Sequence, residues 1–147
     1  MNTATKPKRI LLVDDDPSVR SALAQVLAEE GYTVICGANG DEALKTVDAT
    51  IDLVLLDLNM PVRNGWDTFE QLTTRNPMLP VIIITARPNQ LFTALSAGVG
   101  ALMEKPLDFP ELLEAIRSLL SEPDDVRIAR IAGKRTEFRY SPAHQVS

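Results

Sequence analysis

Three consecutive carboxylates, Asp14-Asp15-Asp16, close the apolar run Ile10 to Val13 and are followed at once by Pro17. At about 4 Å two like charges repel by roughly 1 kcal/mol in water and roughly 4 in a partly buried site. Such a run is either fully solvated or built to hold something positive. Further along, Asp57 follows "LVLL", Thr85 follows "VIII", and Lys105 lies in "MEKP". Asp14, Asp15 and Asp57 together would form an oxygen-rich, negative pocket suited to Mg²⁺. That ion takes one or two carboxylates, keeps waters and draws other ligands from phosphate oxygens. Asp16 has a different task, because Asp before Pro at a first helical position is a helix start. Lys105 and Thr85 offer a point charge and a hydroxyl to phosphoryl oxygens, and phosphoryl transfer asks for little else beyond positioning. A carboxylate can accept the phosphoryl group as an aspartyl phosphate. Asp57, set between its apolar run and the turn "NMPVRNG", is the best placed acceptor.

These groups act together only if the chain brings them together. Apolar runs recur at 9–13, 33–36, 52–57, 80–85 and 101–104. Several are apolar without alternation, as strands buried on both faces are. Helical spacing fills the intervals. Val19, Leu23, Val26 and Leu27 make one face ending at Gly31; Ala43, Leu44 and Val47 lie within a helix over roughly 41–48. Trp66, Phe69 and Leu72 follow Gly65, and Leu91, Ala94 and Leu95 precede Gly98. Leu112, Leu113, Ile116, Leu119 and Leu120 face away from Glu111, Glu114 and Arg117. Five strand–helix alternations imply an α/β fold, a parallel sheet with helices on both faces. Functional crevices in such sheets lie beyond the carboxyl ends of the strands. Strands one, three, four and five end in Asp14-Asp15-Asp16, Asp57, Thr85 and Glu104-Lys105, so one edge collects every candidate group.

The 147 residues suffice for one ordinary domain, with 45% apolar and 24% charged residues excluding wholesale disorder. No apolar run is long enough to span a bilayer, and no h-region follows the basic start, so neither a membrane nor a signal peptide is expected. The single Cys36 cannot form an internal disulfide; it is expected as a buried small hydrophobe in a cytoplasmic protein. The net charge of −5 is uneven: residues 1–125 carry ten basic and nineteen acidic side chains, residues 126–147 five and one. The expected organisation is a lead over 1–8, a domain over 9–122 and a basic tail over 123–147. Val126, Ile128, Ile131, Phe138 and Tyr140 fit neither one clean helix nor one clean strand, leaving packing on the domain or a partner and disorder equally open.

The acidic pair after strand one, "LVLLDLNMPVRNG", "IIITA" and "MEKPL", in that order, resemble the receiver domain of two-component response regulators over about residues 8–121. The resemblance implies a flavodoxin-like (βα)₅ fold with strand order 2-1-3-4-5. It implies a phosphoacceptor at Asp57, Mg²⁺ held directly by Asp15, through water mainly by Asp14, and by the backbone carbonyl of Asn59. Thr85 would bond the phosphoryl group and Lys105 would pair with it. Pro106 would follow a cis peptide bond, and Pro61 and Gly65 would shape the turn after the acceptor. The partners would be a sensor histidine kinase or phosphotransfer protein and a downstream protein. The receiver would catalyse only its own phosphorylation and dephosphorylation.

Two departures stand out. Receivers usually carry Tyr or Phe three residues before the lysine, where this chain has Leu102, so a ring-flip readout is lost. Thr85 and Lys105 are only twenty apart, which calls for a shortened fourth helix or a tighter loop.

Taken singly, each group has a plainer reading: a solvated turn, a capped loop, a strand threonine, a surface lysine. Trp66 and Phe69 read as packing residues, and Arg87 as either a surface arginine or a gate to the phosphoryl group. His144 belongs to a frayed terminus. "DDDPS" also loosely fits the opening of haloacid-dehalogenase-like phosphatases, with Asp14 as nucleophile and Asp16 as acid/base. No acidic pair after a later strand and no cap domain support that alternative. The tail is too short for a helix-turn-helix module, so sequence-specific nucleic acid binding is not expected. Its basic residues suit contacts to a kinase or to a second copy in a homodimer.

Overall fold

The computed structural model describes residues 6–59, 64–87, 89–133 and 138–143. Pro61 and His144 lie outside them. Strands β1 (Arg9–Val13), β2 (Thr33–Gly37), β3 (Leu53–Asp57), β4 (Val81–Thr85) and β5 (Ala101–Glu104) alternate with helices α1 (Pro17–Glu29), α2 (Gly40–Thr46), α3 (Gly65–Arg75), α4 (Leu91–Ala97) and α5 (Phe109–Leu120). Every pairing is parallel, and the order β2-β1-β3-β4-β5 is the expected one. Each crossover therefore returns the chain to the same end of the sheet, and the carboxyl ends share one edge.

All five residues of both β3 and β4 are buried, which explains their unbroken apolar runs. One face packs Leu11, Val54, Leu56 and Ile83 under α2, α3 and α4, through Ala43, Leu44, Phe69, Leu72 and Ala94. The other packs Ile10, Leu12, Leu53, Leu55 and Ile82 under α1 and α5, through Leu23, Leu27, Leu112, Ile116 and Leu119. Fully burying one such side chain stabilises by about 1.5–3 kcal/mol, so these two layers hold the strand ends in place. The strand β2 is different. It lies at the sheet edge with only Gly37 buried, and Cys36 is exposed. The expectation of a buried cysteine fails because an edge strand lacks a neighbour on one side.

The helix α4 has seven residues, so of the shortened fourth helix and the tighter loop that the Thr85–Lys105 spacing allows, the short helix is present. It ends at Gly98, whose φ of +77° is a left-handed conformation that favours glycine.

The larger difference lies in the tail, which adds helix α6 (Asp124–Ile131) and a sixth strand, β6 (Arg139–Ser141). β6 lies parallel to β5 with Leu102 opposite Tyr140, so the sheet order is β2-β1-β3-β4-β5-β6. A five-stranded sheet leaves the backbone groups of β5 unpaired on one side, and β6 covers them. Charge anchors α6 more than apolar burial does. Arg130 is buried and pairs with Glu122, while Val126, Ile128 and Ile131 are exposed. Arg127 bonds the same carboxylate at 3.2 Å and donates to the carbonyls of Met78 and Leu119. The basic character of the tail is thus partly consumed in holding the tail to the domain. Phe138 packs against the first core.

Candidate functional site

The carboxyl ends of β1, β3 and β5 deliver their polar residues to one place. Asp57 is 1% exposed, and its carboxylate is held at both oxygens. Oδ1 accepts from the Asn59 N–H at 2.9 Å, and Oδ2 accepts from Lys105 Nζ at 3.0 Å. Burial pushes the Asp57 carboxyl above its usual range, opposed by the Asn59 N–H and Lys105 and reinforced by the charge of Asp14. Burial also pulls the Lys105 ammonium down, yet its bond to Asp57 and the two carboxylate charges outweigh that and leave it raised. The Lys105–Pro106 peptide is cis, as expected.

Asp14 is equally buried, and its Oδ1 accepts the Asp16 N–H at 2.9 Å. Its Oδ2 has no hydrogen-bond partner and lies 3.6 Å from Lys105 Nζ. Arg20, which the sequence did not single out, donates to the Asp14 carbonyl at 2.6 Å and so fixes the turn. Asp15 is exposed. Asp16 caps α1, accepting from the Ser18 and Val19 N–H groups at 2.9 and 3.3 Å, with Pro17 opening the helix. That satisfied capping role counts against Asp16 as an acid/base group.

Asp14, Asp15 and Asp57 each present one carboxylate oxygen within 4.8 Å of the others. Three oxygens at this separation, beside a buried Asp14 Oδ2 that has no hydrogen bond, fit a hard divalent cation: one lysine offsets three carboxylates only in part. Thr85, fully buried at the end of β4, accepts the Arg87 N–H at 2.8 Å on its hydroxyl. Its carbonyl accepts the Lys105 N–H at 2.8 Å, tying the fourth and fifth strand ends together. Asn59, half-buried, follows directly on this edge. The approach of α3 to the acceptor strand explains Gly65: a Cβ there would lie 2.5 Å from Leu58 Cα. Trp66 packs edge-to-face on Phe69, with ring centroids 5.8 Å apart, and donates its indole N–H to Gln90 at 2.9 Å. Both therefore serve packing.

The family model of the response regulator receiver domain matches residues 10–117. The chain belongs to that family. Transcriptional regulatory protein CpxR of Escherichia coli K12 is 42% identical over 114 residues, which make up 76% of this chain and 49% of that protein. Response regulator MprA of Mycolicibacterium vanbaalenii is 38% identical over 124 residues, 81% of this chain and 54% of MprA. The chain thus spans about half the length of the curated relatives it matches. Among solved structures, a CheY-like receiver from Methanospirillum hungatei JF-1 superposes with a TM-score of 0.75 at 31% identity, covering 81% of this chain and 98% of that one. The response regulator TrrA of Thermotoga maritima, solved with Mg²⁺ and BeF, gives 0.69 at 34% identity, covering 76% and 98%. TrrA in complex with histidine kinase ThkA gives 0.67 at 35% identity, covering 78% and 99%. Among the described residues, no helix of this receiver is long and apolar enough to cross a membrane.

Proposed function

We propose that this receiver is a phosphorylation-activated switch in a two-component phosphorelay, taking a phosphoryl group onto Asp57 from a sensor histidine kinase or phosphotransfer protein. The observation that carries this reading is the buried Asp57 carboxylate, 3.0 Å from Lys105 and within 4.8 Å of the Asp14 and Asp15 oxygens. Asp14, Asp15, Asp57 and the backbone carbonyl of Asn59 would hold Mg²⁺. Bound there, the ion would neutralise charge on the phosphoryl oxygens and the attacking carboxylate.

The chain's own residues do the rest. An Asp57 oxygen attacks phosphorus, the P–N bond to the donor imidazole breaks, and the bonding pair leaves with the nitrogen. Lys105 pairs with the phosphoryl oxygens that replace the carboxylate charge. The Thr85 hydroxyl donates to one of them while still accepting from Arg87. The receiver turns over no external metabolite; its chemistry is its own phosphorylation and dephosphorylation, carried out in the cytoplasm. Residues 9–122 form the receiver unit, residues 1–8 its lead and residues 123–147 its basic tail. The output is passed to a downstream protein. The names of CpxR and ThkA support transcriptional output and kinase pairing for those relatives, and here they support the class of partner.

Intact mass after incubation with a small-molecule acyl phosphate tests the reading. One phosphoryl group gained only with Mg²⁺, and lost in Asp57→Asn, is expected. No gain by folded wild-type protein with Mg²⁺ present would refute it.

A further inference from the structure

The strand β6 touches the machinery that the phosphoryl group would move. Its residues 139–141 pair with 101–103 of β5, and Lys105 follows two residues later. Glu104, between the strand pairing and Lys105, holds the stretch that follows β6. Its carboxylate accepts the Ala143 N–H at 3.3 Å, and burial, joined by its charge, pushes the Tyr140 phenol above its usual range. Tyr140 and Ala143 also line an open cavity of about 450 Å³. Lys105, Arg87, Asn89 and Leu91 line the same cavity. Arg87 is the residue whose N–H bonds the Thr85 hydroxyl. Both groups that must adjust to a phosphoryl group therefore lie one residue or one hydrogen bond from the surfaces that seat the tail.

We propose that residues 138–143 are a strap on the β5 edge, docked in the unphosphorylated receiver and loosened when Asp57 is phosphorylated. This rests on the phosphoacceptor reading above. Phosphoryl oxygens extend beyond the present carboxylate, so Lys105 must shift outward from its 3.0 Å contact with Asp57. The shift is passed through the backbone to Glu104 and its bond to the Ala143 N–H. At the same time, the Thr85 hydroxyl turns to its new acceptor, and Arg87, whose N–H it accepts, follows. With Leu102 buried in the core beside Tyr140 of β6 and no aromatic at that position, the strap itself is the mobile element that reports the state of the site. The short strand suits this: three residues of pairing and the Glu104 anchor at Ala143 are a weak hold. Linkage makes the coupling reciprocal, so loosening the strap must tighten phosphoryl binding by the same factor.

The experiment is amide hydrogen exchange on the full chain, with and without Mg²⁺ and beryllofluoride, a phosphoryl mimic. Parallel samples are treated with acyl phosphate and weighed. Loading is expected to speed exchange in the 138–143 peptide about tenfold, while the β3 and β4 peptides stay protected. Tyr140→Ala is expected to speed exchange there without ligand and to tighten beryllofluoride binding several-fold. A receiver that gains its phosphoryl group while exchange in 138–143 stays unchanged overturns the strap and leaves the phosphoacceptor reading intact. So does a Tyr140→Ala chain that frees the strap with no change in beryllofluoride affinity. Failure to gain a phosphoryl group or bind the mimic overturns both.

Discussion

Neutralising the acceptor by Asp57→Asn is expected to stabilise the metal-free protein by about 1–2 kcal/mol. Asp57 stands 3.0 Å from Lys105, an attraction of roughly 5 kcal/mol at an effective dielectric constant of 20. The buried Asp14 oxygen, at most 4.8 Å away, repels it by at least roughly 3 kcal/mol on the same scale. Asp15 is exposed, and water reduces its share to about 1 kcal/mol. The charge terms therefore nearly cancel, and the cost of burying the carboxylate, several kcal/mol for an isolated ion, decides the sign. Asparagine keeps an oxygen for the Asn59 N–H, and Lys105 retains Asp14 Oδ2 as a partner 3.6 Å away.

The pH dependence follows the same sign. Asp57 has a raised native pKa, so its favourable contribution is complete below the ordinary carboxylate range and is lost as pH rises through the native value. The advantage of the variant is thus smallest at and below the ordinary carboxylate range and grows as pH rises through the native value. Urea denaturation in a chelator, followed by the fluorescence of the single Trp66, measures it, with a gain of about 3–8 °C in Tm expected alongside. Saturating Mg²⁺ should stabilise wild type more than the variant and close the gap. A variant less stable than wild type at pH 7, or equally advantaged at pH 4 and pH 7, would refute the reasoning.

Gly65→Ala must open a 2.5 Å approach to Leu58 Cα, which costs about 1–3 kcal/mol in urea denaturation. It should also slow acyl-phosphate labelling of Asp57, because Leu58 is the next residue. Asp48, whose carboxylate accepts the Thr50 N–H at 2.8 Å, is held below its usual range by the Thr50 hydroxyl first and that N–H second. Its stabilising contribution is present above the ordinary carboxylate range and fades as pH falls through the lowered native value. A side-chain NMR titration should place its midpoint below about 3.9, and Thr50→Val should move it upward.

The candidate site of this protein is legible in its sequence because parallel α/β order converts strand ends into one edge. Asp14, Asp57, Thr85 and Lys105 each terminate an apolar run, and five alternations of strand and helix suffice to predict that they meet. Asp16-Pro17 announces its own cap, since capping is a local matter of one side chain and the next two N–H groups. What depends on neighbours distant in sequence was not legible from such local patterns. Cys36 sits in an apolar run yet is exposed, because only strand order makes β2 an edge. The tail has no clean period of its own. Its helix is held by Arg127 and Arg130 on Glu122 and on distant carbonyls, and its strand exists because β5 offers an unpaired edge. Local residue patterns specify what each segment carries; only the packed sheet decides which backbone groups are left without a partner, and therefore where residues 139–141 lie down.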